Sequence, residues 1–410
     1  MEIFFKFFNS SGFSFRFLDK RARSVYNIRG MEYVYLDNAA TTPLDAEAVE
    51  AMLPFLTDRF GNADSPHAFG RKSMTAVDNA RDTVAACLGA KPNEIYFTSG
   101  GTEADNWAIL GGARAKKKAG RNHVLISAVE HHAALYAAET LREEGFNVEY
   151  IPVNEGGRVE VNDVIARLKP TTALVCIMRV NNETGVVQPI EEIAPHVRKN
   201  GALFFVDGVQ AAPHERIDVQ KWGVDMLSVS SHKLHGPKGC GALYIRGGVK
   251  VEKLVGGGEQ ERGLRGGTLN VPAIVGFAAA FDKTEALRGE TERHIRRLQA
   301  LFLKGIAELD GVFMNGEKEE RTAAVLSLRV AGVDNATLLY KADLEGLCIA
   351  AGSACASASV KPSHVLLAMG MSEQAARETV RVSFGRQNTE EEVVLAAKIF
   401  VKTVKSLRKA

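Results

Sequence analysis

The chain has 410 residues, 46% of them apolar, and a formal net charge of +2. That length supplies core for two or three domains, and the near-neutral charge gives no argument for nucleic acid or an anionic membrane as partner. No apolar run reaches the roughly 18 residues needed to span a bilayer, and the cysteines Cys87, Cys176, Cys240, Cys348 and Cys355 form no CxxC pair, which excludes a zinc ribbon or a regular disulfide framework and fits a reducing, cytoplasmic setting.

Residues 1–30 read as an N-terminal extension of uncertain role. They hold Phe4, Phe5, Phe7, Phe8, Phe13, Phe15 and Phe17, six Lys/Arg, and only Glu2 and Asp19 as acids. Two readings stay open: an acid-poor leader of the organelle type, or a stretch upstream of a start at Met31. From residue 94 onward apolar runs alternate with helical patterns. Glu94–Thr98, His123–Ser127, Val148–Val153, Ala173–Met178 and Leu203–Asp207 read as strands; Thr102–Ala119, Ala133–Glu144 and Ile190–Lys199 read as helices. This is the rhythm of a mostly parallel sheet covered on both faces, which binds ligands beyond the carboxyl ends of its strands. A charged helix, Lys283–Leu309, then leads into short strands Ala324–Arg329, Leu347–Ala351 and Thr379–Phe384. The last helix opens on a capping box, Thr389 with Glu392. The expected division is a large domain over 45–285 and a smaller α+β domain from 31–44 with 286–410.

The residues that carry chemistry fall at strand ends. Lys233, in Ser230-Ser231-His232-Lys233, stands between the apolar run Val224–Val229 and a Gly-Pro turn. A lysine amine condenses with an aldehyde, which is how pyridoxal phosphate is held, and an aspartate from an earlier strand end is the usual partner of its ring nitrogen. Asp207 closes its strand and suits that place; Gln210, three residues on, suits the phenolic oxygen. Ser99-Gly100-Gly101-Thr102-Glu103 joins a strand to a helix, and free amides there bind phosphate, although a Gly-Gly turn is often only a turn. Ser230 and His232 are further donors. His131 suits stacking on a flat ring or an ordinary surface place at a helix start. Asn181-Asn182-Glu183-Thr184-Gly185 suits polar recognition or turn-building. Cys355 lies in a run of small residues, Gly352-Ser353-Ala354-Cys355-Ala356-Ser357, which cannot pack a core and reads as a flexible loop carrying a nucleophile. Arg381 suits either a clamp on a substrate carboxylate or a structural ion pair.

Together these segments, with Tyr35-Leu36-Asp37-Asn38-Ala39-Ala40-Thr41-Thr42-Pro43 and Arg265-Gly266-Gly267-Thr268, resemble the cysteine desulfurases of class V, within the fold type I pyridoxal phosphate enzymes. The resemblance covers nearly all of residues 31–410 and rests on the order and spacing of the motifs. It implies an α/β fold with a mostly parallel seven-stranded sheet and a smaller C-terminal α+β domain. It implies conversion of L-cysteine to L-alanine, with sulfur passing as a persulfide on Cys355 to an acceptor or iron–sulfur scaffold protein. By the same resemblance Lys233 forms the Schiff base, Asp207, Gln210 and His131 hold the ring, and Gly101, Thr102, Ser230 and His232 hold the phosphate. Thr268 would reach the phosphate of a neighbouring subunit in a homodimer, and Asn182 and Arg381 would orient the substrate. No resident metal is implied; Cys355 would at most touch an iron–sulfur cluster in passing. The loop resembles the subgroup in which it is mobile. The chain stops at Ala410 without the longer tail of some scaffold-docking members, and His132 stands where a lysine is common. Rival expectations are a selenocysteine lyase, a transaminase, which needs no loop thiol, and a non-catalytic partner in a sulfur-transfer complex.

Overall fold

The structure is a computed structural model that describes residues 25–28, 31–352 and 362–409. The expectations for residues 1–24 and for Cys355, within 353–361, lie outside the described residues.

Thirteen strands occur among the described residues. They are β1 (Val25–Ile28), β2 (Met31–Tyr35), β3 (Ile95–Thr98), β4 (His123–Ser127), β5 (Asn147–Ile151), β6 (Thr172–Cys176) and β7 (Leu203–Asp207). They continue with β8 (Met226–Ser230), β9 (Gly241–Ile245), β10 (Val312–Met314), β11 (Val325–Val330), β12 (Leu347–Cys348) and β13 (Thr379–Ser383). The central sheet has seven strands in the order β3-β9-β8-β7-β6-β4-β5. The five strands β8, β7, β6, β4 and β5 are parallel neighbours, whereas β9 runs antiparallel between β3 and β8. Every residue of β4, β6, β7, β8 and β9 is buried. Strands covered on both faces are apolar nearly without alternation, as β6, β7 and β9 are.

Boundaries expected from the sequence match to within a few residues, with two physical differences. The long helix is Val271–Ile306 and starts twelve residues before the charged stretch that signals it. Asn270 caps it by accepting from Ala273 N, and Pro272 fits the first turn, where no intrahelical donor is needed. Its first half is apolar because it lies on the large core, through Phe277 and Phe281; its second half packs Ile295, Leu298 and Phe302 on another core. The helix after β3 passes through a π-turn at Trp107–Gly111, and Trp107 Nε1 donates to Glu252 O at 2.9 Å there.

Buried apolar residues fall mainly into clusters on the two faces of the central sheet and a third that joins Val34, Leu36 and Ala39 to β11, β13 and the last helix, Glu390–Arg408. That helix carries the capping box at Thr389 and Glu392. No helix among the described residues is long and apolar enough to cross a membrane.

Candidate functional site

The carboxyl ends of β3, β4, β7 and β8 converge with segment 37–45 and β13. Lys233 ends a short 3-10 turn, Ser231–Lys233, that follows β8 directly. Its amine donates to Ala40 O at 2.8 Å and also to Ala39 O. Thr42 fastens the same turn: its Oγ1 donates to His232 O at 2.8 Å and accepts from His235 N at 2.9 Å. The turn is too tight for a side chain at Gly236, where a Cβ would come within 2.2 Å of Ser231 Oγ. The segment after β2 therefore sets where the lysine amine sits.

Asp207 ends β7 beside Ser228 of β8. Its Oδ1 accepts from Val209 N at 2.8 Å, and the Lys233 charge acts on it. Burial raises its pKa to about 6, against the pull of that hydrogen bond and of Lys233. Gln210 is buried, and its Oε1 has no partner among the described residues, nor has Ser231 Oγ. Gln210 and Lys233 also line a small cavity with Thr42, His214 and Arg386.

His131 is half-buried at the N-cap of the helix His132–Glu143, and its Nδ1 accepts from Ala133 N at 3.2 Å. A ring that accepts at Nδ1 and stays neutral carries its proton on Nε2. Burial, then the charge of Lys233, lowers the His131 pKa to about 4. His232 is lowered to about 4 as well, by burial and then Lys233. His132, in the place where a lysine is common in the family, has its ring 4.6 Å from that of His364.

At the other end of the site, Gly101 starts the helix after β3. A Cβ on Gly101 would lie 2.7 Å from Val209 Cγ2 and 3.5 Å from Ser230 Cβ, so backbone amides stand close to Ser230 only because this position is glycine. Thr102 is exposed on the first turn. Glu103 ties this turn to the Arg265-Gly266-Gly267-Thr268 segment: it accepts from Arg265 Nε and from Ser99 N, both at 2.8 Å. Thr268 itself is exposed.

Of the two adjacent amides after β6, Asn181 builds the turn. Its Oδ1 accepts from Glu183 N and Thr184 N, both at 2.9 Å, and its Nδ2 donates to Val129 O. Asn182 is half-buried and offers its carbonyl to Arg381 Nη1 at 2.9 Å. Arg381 lies in β13, 2% exposed, with Nη2 on Asp37 Oδ1 at 2.8 Å and Nε without a partner among the described residues. The ion-pair geometry considered for Arg381 is thus present, with one donor to spare.

Sequence reasoning missed two buried acids beneath this site. Asp105 Oδ1 lies 2.6 Å from Ser228 Oγ. Glu130, next to His131, accepts from Met178 N at 2.7 Å. Burial raises Asp105 well above the usual carboxylate range and Glu130 to about 8. Their only mark in the sequence is position, an acid four residues past Gly101 and another next to His131, and neither position shows burial. Burial also pushes Cys87 and Cys240 up to about 12 and Cys348 to about 11, so these thiols stay protonated. Among the described residues no cluster of His, Cys, Asp or Glu has the form of a metal site.

The Lys233 charge thus reaches both Asp207 and a neutral His131, and Gln210 lines a cavity with Lys233 while its Oε1 has no partner among the described residues. The family model for aminotransferase class-V matches residues 34–395. The chain belongs to the class-V aminotransferases, among their cysteine desulfurases. It is 43% identical over 375 residues to "Cysteine desulfurase IscS" of Methanosarcina thermophila, covering 92% of this chain and 93% of that one. It is also 43% identical over 378 residues to the protein of that name from Clostridium botulinum (strain Hall), covering 92% and 95%. Among solved structures, "NIFS-LIKE PROTEIN" is similar with a TM-score of 0.86 and 35% identity, over 92% of this chain and all of that one (100%). "SspA in complex with cysteine" is similar with a TM-score of 0.78 and 34% identity, over 86% and 98%. The family depends on pyridoxal phosphate. The groups present fit that cofactor: a buried Gln210 side chain whose oxygen has no partner among the described residues, a buried Asp207 at the end of β7, and a helix start whose backbone comes close to Ser230 and Val209 at Gly101.

Proposed function

We propose that the protein is a pyridoxal phosphate-dependent desulfurase that converts L-cysteine to L-alanine and carries the released sulfur as a persulfide on Cys355. The observation that carries the reading, in a chain of this family, is that the Lys233 charge reaches both Asp207 and His131 while Gln210, its Oε1 without a partner among the described residues, lines a cavity with Lys233. The bound cofactor would supply an aldehyde for the lysine and an electron sink for charge developing at the substrate α-carbon.

The protein's own residues supply the rest. Gly101, Thr102, Ser230 and His232 hold the phosphate, and Thr268 does so for the neighbouring subunit of a homodimer. Asp207 would hold a negative charge for the ring nitrogen, Gln210 would offer its amide N–H to the phenolic oxygen, and neutral His131, with Nε2–H as donor, would hold the ring. Asn182 and Arg381 orient the substrate; Arg381 Nε is the donor available without breaking the Asp37 pair. Lys233, once released, takes the α-proton from the substrate and returns it. The Cys355 thiolate attacks the substrate sulfur: an S–S bond forms, the C–S bond breaks, and its electron pair stays with the carbon, which takes a proton. Cysteine and a thiol thus become alanine and a persulfide with no external oxidant. An acceptor or iron–sulfur scaffold protein then takes the sulfur.

Two variants test this. Cys355→Ala is expected to keep the yellow colour of the reconstituted protein and to lose sulfide release from cysteine; undiminished release would remove Cys355 from the reaction. Lys233→Ala is expected to lose both the covalent cofactor link and turnover, and normal turnover in it would overturn the cofactor assignment. Comparing L-cysteine with L-selenocysteine as substrate separates this activity from that of a selenocysteine lyase.

A further inference from the structure

Asp105 has no part in the reaction outlined above, yet it is buried to 2% exposure directly under the site. It lies on the helix that begins at Gly101, one turn past the phosphate-binding residues. Its Oδ1 is 2.6 Å from Ser228 Oγ. Ser228 is fully buried on β8 and sits in register beside Asp207 on β7. That register puts the Ser228 side chain next to Asp207 on the neighbouring strand, where its hydroxyl favours the charged form of the Asp207 carboxyl group. One hydroxyl therefore stands between two carboxyl groups.

A hydroxyl has a single proton to donate. If Asp105 and Asp207 were both ionised, Ser228 would satisfy one and leave its oxygen facing the other, and two like charges would share a dry interior. A proton on Asp105 resolves both conflicts. Asp105 O–H then donates to Ser228 Oγ, and Ser228 O–H is released to Asp207. Among the described residues, the charged groups acting on Asp105 are Asp207 from β7 and Glu130 from the turn after β4, both acids. Cys176 of β6 lies beyond, 3.6 Å from Glu130. Lys233 acts on Asp207 rather than on Asp105. Among the described residues no ion pair to a Lys or Arg is seen at Asp105, and burial agrees by pushing it toward the neutral form.

We propose that Asp105 is a positioning residue of the cofactor site: it donates a proton to Ser228 Oγ and so turns the Ser228 hydroxyl onto the Asp207 carboxylate, keeping Asp207 ionised and aimed at the ring nitrogen. This rests on the cofactor reading above and deepens it. Asp207 then receives two donors, Val209 N and Ser228 Oγ, and each stabilises its charged form. Asp105 touches neither substrate nor ring and acts only through Ser228.

The test uses full-length protein reconstituted with pyridoxal phosphate and follows the pH titration of its visible absorbance band. Asp105→Asn presents an amide N–H where the acid O–H stood, and is expected to leave the midpoint and turnover close to wild type. Asp105→Ala and Ser228→Ala are each expected to raise the midpoint by about one unit, the size of one hydrogen bond to a charged group. The cause is that a ring nitrogen less firmly protonated withdraws less charge. In both, kcat should fall about tenfold with KM little changed, and combining them should add nothing further. A midpoint that moves as far in Asp105→Asn as in Asp105→Ala would show that the charge, and not the proton, is what matters, and would overturn the proposal. An unmoved midpoint in Ser228→Ala would do the same, and that variant remains informative if Asp105→Ala does not fold. Failure of the wild-type protein to develop any visible band is a separate outcome: it removes the cofactor reading and this one with it.

Discussion

Two buried charged sites in this protein behave in opposite ways. Arg81 and Glu261 meet bidentately at 2.7 and 2.8 Å, and Glu261 also accepts from Phe97 N at 2.8 Å. Arg81 donates as well to Ile95 O and lies over the Phe97 ring at 4.7 Å. Every strong donor and acceptor there has a partner, and the pair holds the turn Gln260–Gly263 against β3. The turn needs holding, because Glu261 and Arg262 both sit at positive φ, 46° and 59°, which costs energy for residues with a Cβ. The acids around Asp207 are the reverse case. Asp105, Asp207 and Glu130 are packed together, burial raises all three, and Gln210 above them lacks a partner among the described residues. A saturated buried charge serves architecture; an unsaturated one waits for a ligand.

That contrast can be broken by measurement. The largest effect is expected at the unsaturated site and on activity alone. Asp207→Asn should lower turnover by about 10²-fold or more, the scale of losing one preorganised charge partner, while the melting temperature stays level or rises, because a buried acid has been replaced by a neutral isostere. A comparable loss of stability would erase the distinction. The opposite pattern is expected for Glu261→Ala. Stranding Arg81 should cost about 3–5 kcal/mol in urea unfolding, with kcat of the surviving folded fraction close to wild type.

Glu130 gives a pH test of intermediate size. Its folded pKa, about 8, lies above the ordinary glutamate value of 4.5. The native state therefore holds a proton that the unfolded state releases, and stability falls as pH rises from about 4.5 to about 8, by at most ~1.4 kcal/mol per unit. Glu130→Gln keeps an oxygen for Met178 N and removes the titration, so its stability–pH curve should be flatter across that window. Parallel curves for the two proteins would mean that Glu130 is not protonated in the fold. The smallest effect belongs to an exposed pair. Arg296 and Glu292, at 61% and 52% side-chain exposure, are 2.8 Å apart on one helix face; Arg296→Ala should change stability by no more than about 0.5 kcal/mol, which sets the floor for the other comparisons.

Much of the site was legible before any coordinates. Lys233, Asp207 and the Gly100-Gly101 turn were found because each closes an apolar strand pattern, and strand ends are where such a sheet binds. Asn181 and Asn182 could not be told apart in the sequence, since either amide can cap a turn; only the backbone path decided that Asn181 does so. Arg381 was ambiguous for a similar reason, as its partner Asp37 is 344 residues away in the chain. The acids Asp105 and Glu130 escaped notice because charge in a sequence reads as surface by default, and nothing local says that both are buried.

The sequence by itself determined the period of the elements, the residues at strand ends and the family, because these depend on short-range pattern and on motif spacing. The tertiary structure alone decided the reversed strand β9 within the sheet, the hold of segment 39–45 on the Lys233 turn, and the gathering of Asp105 and Glu130 near Asp207. Those depend on contacts between residues far apart in the chain and on the exclusion of water, and neither is written in any local stretch of residues.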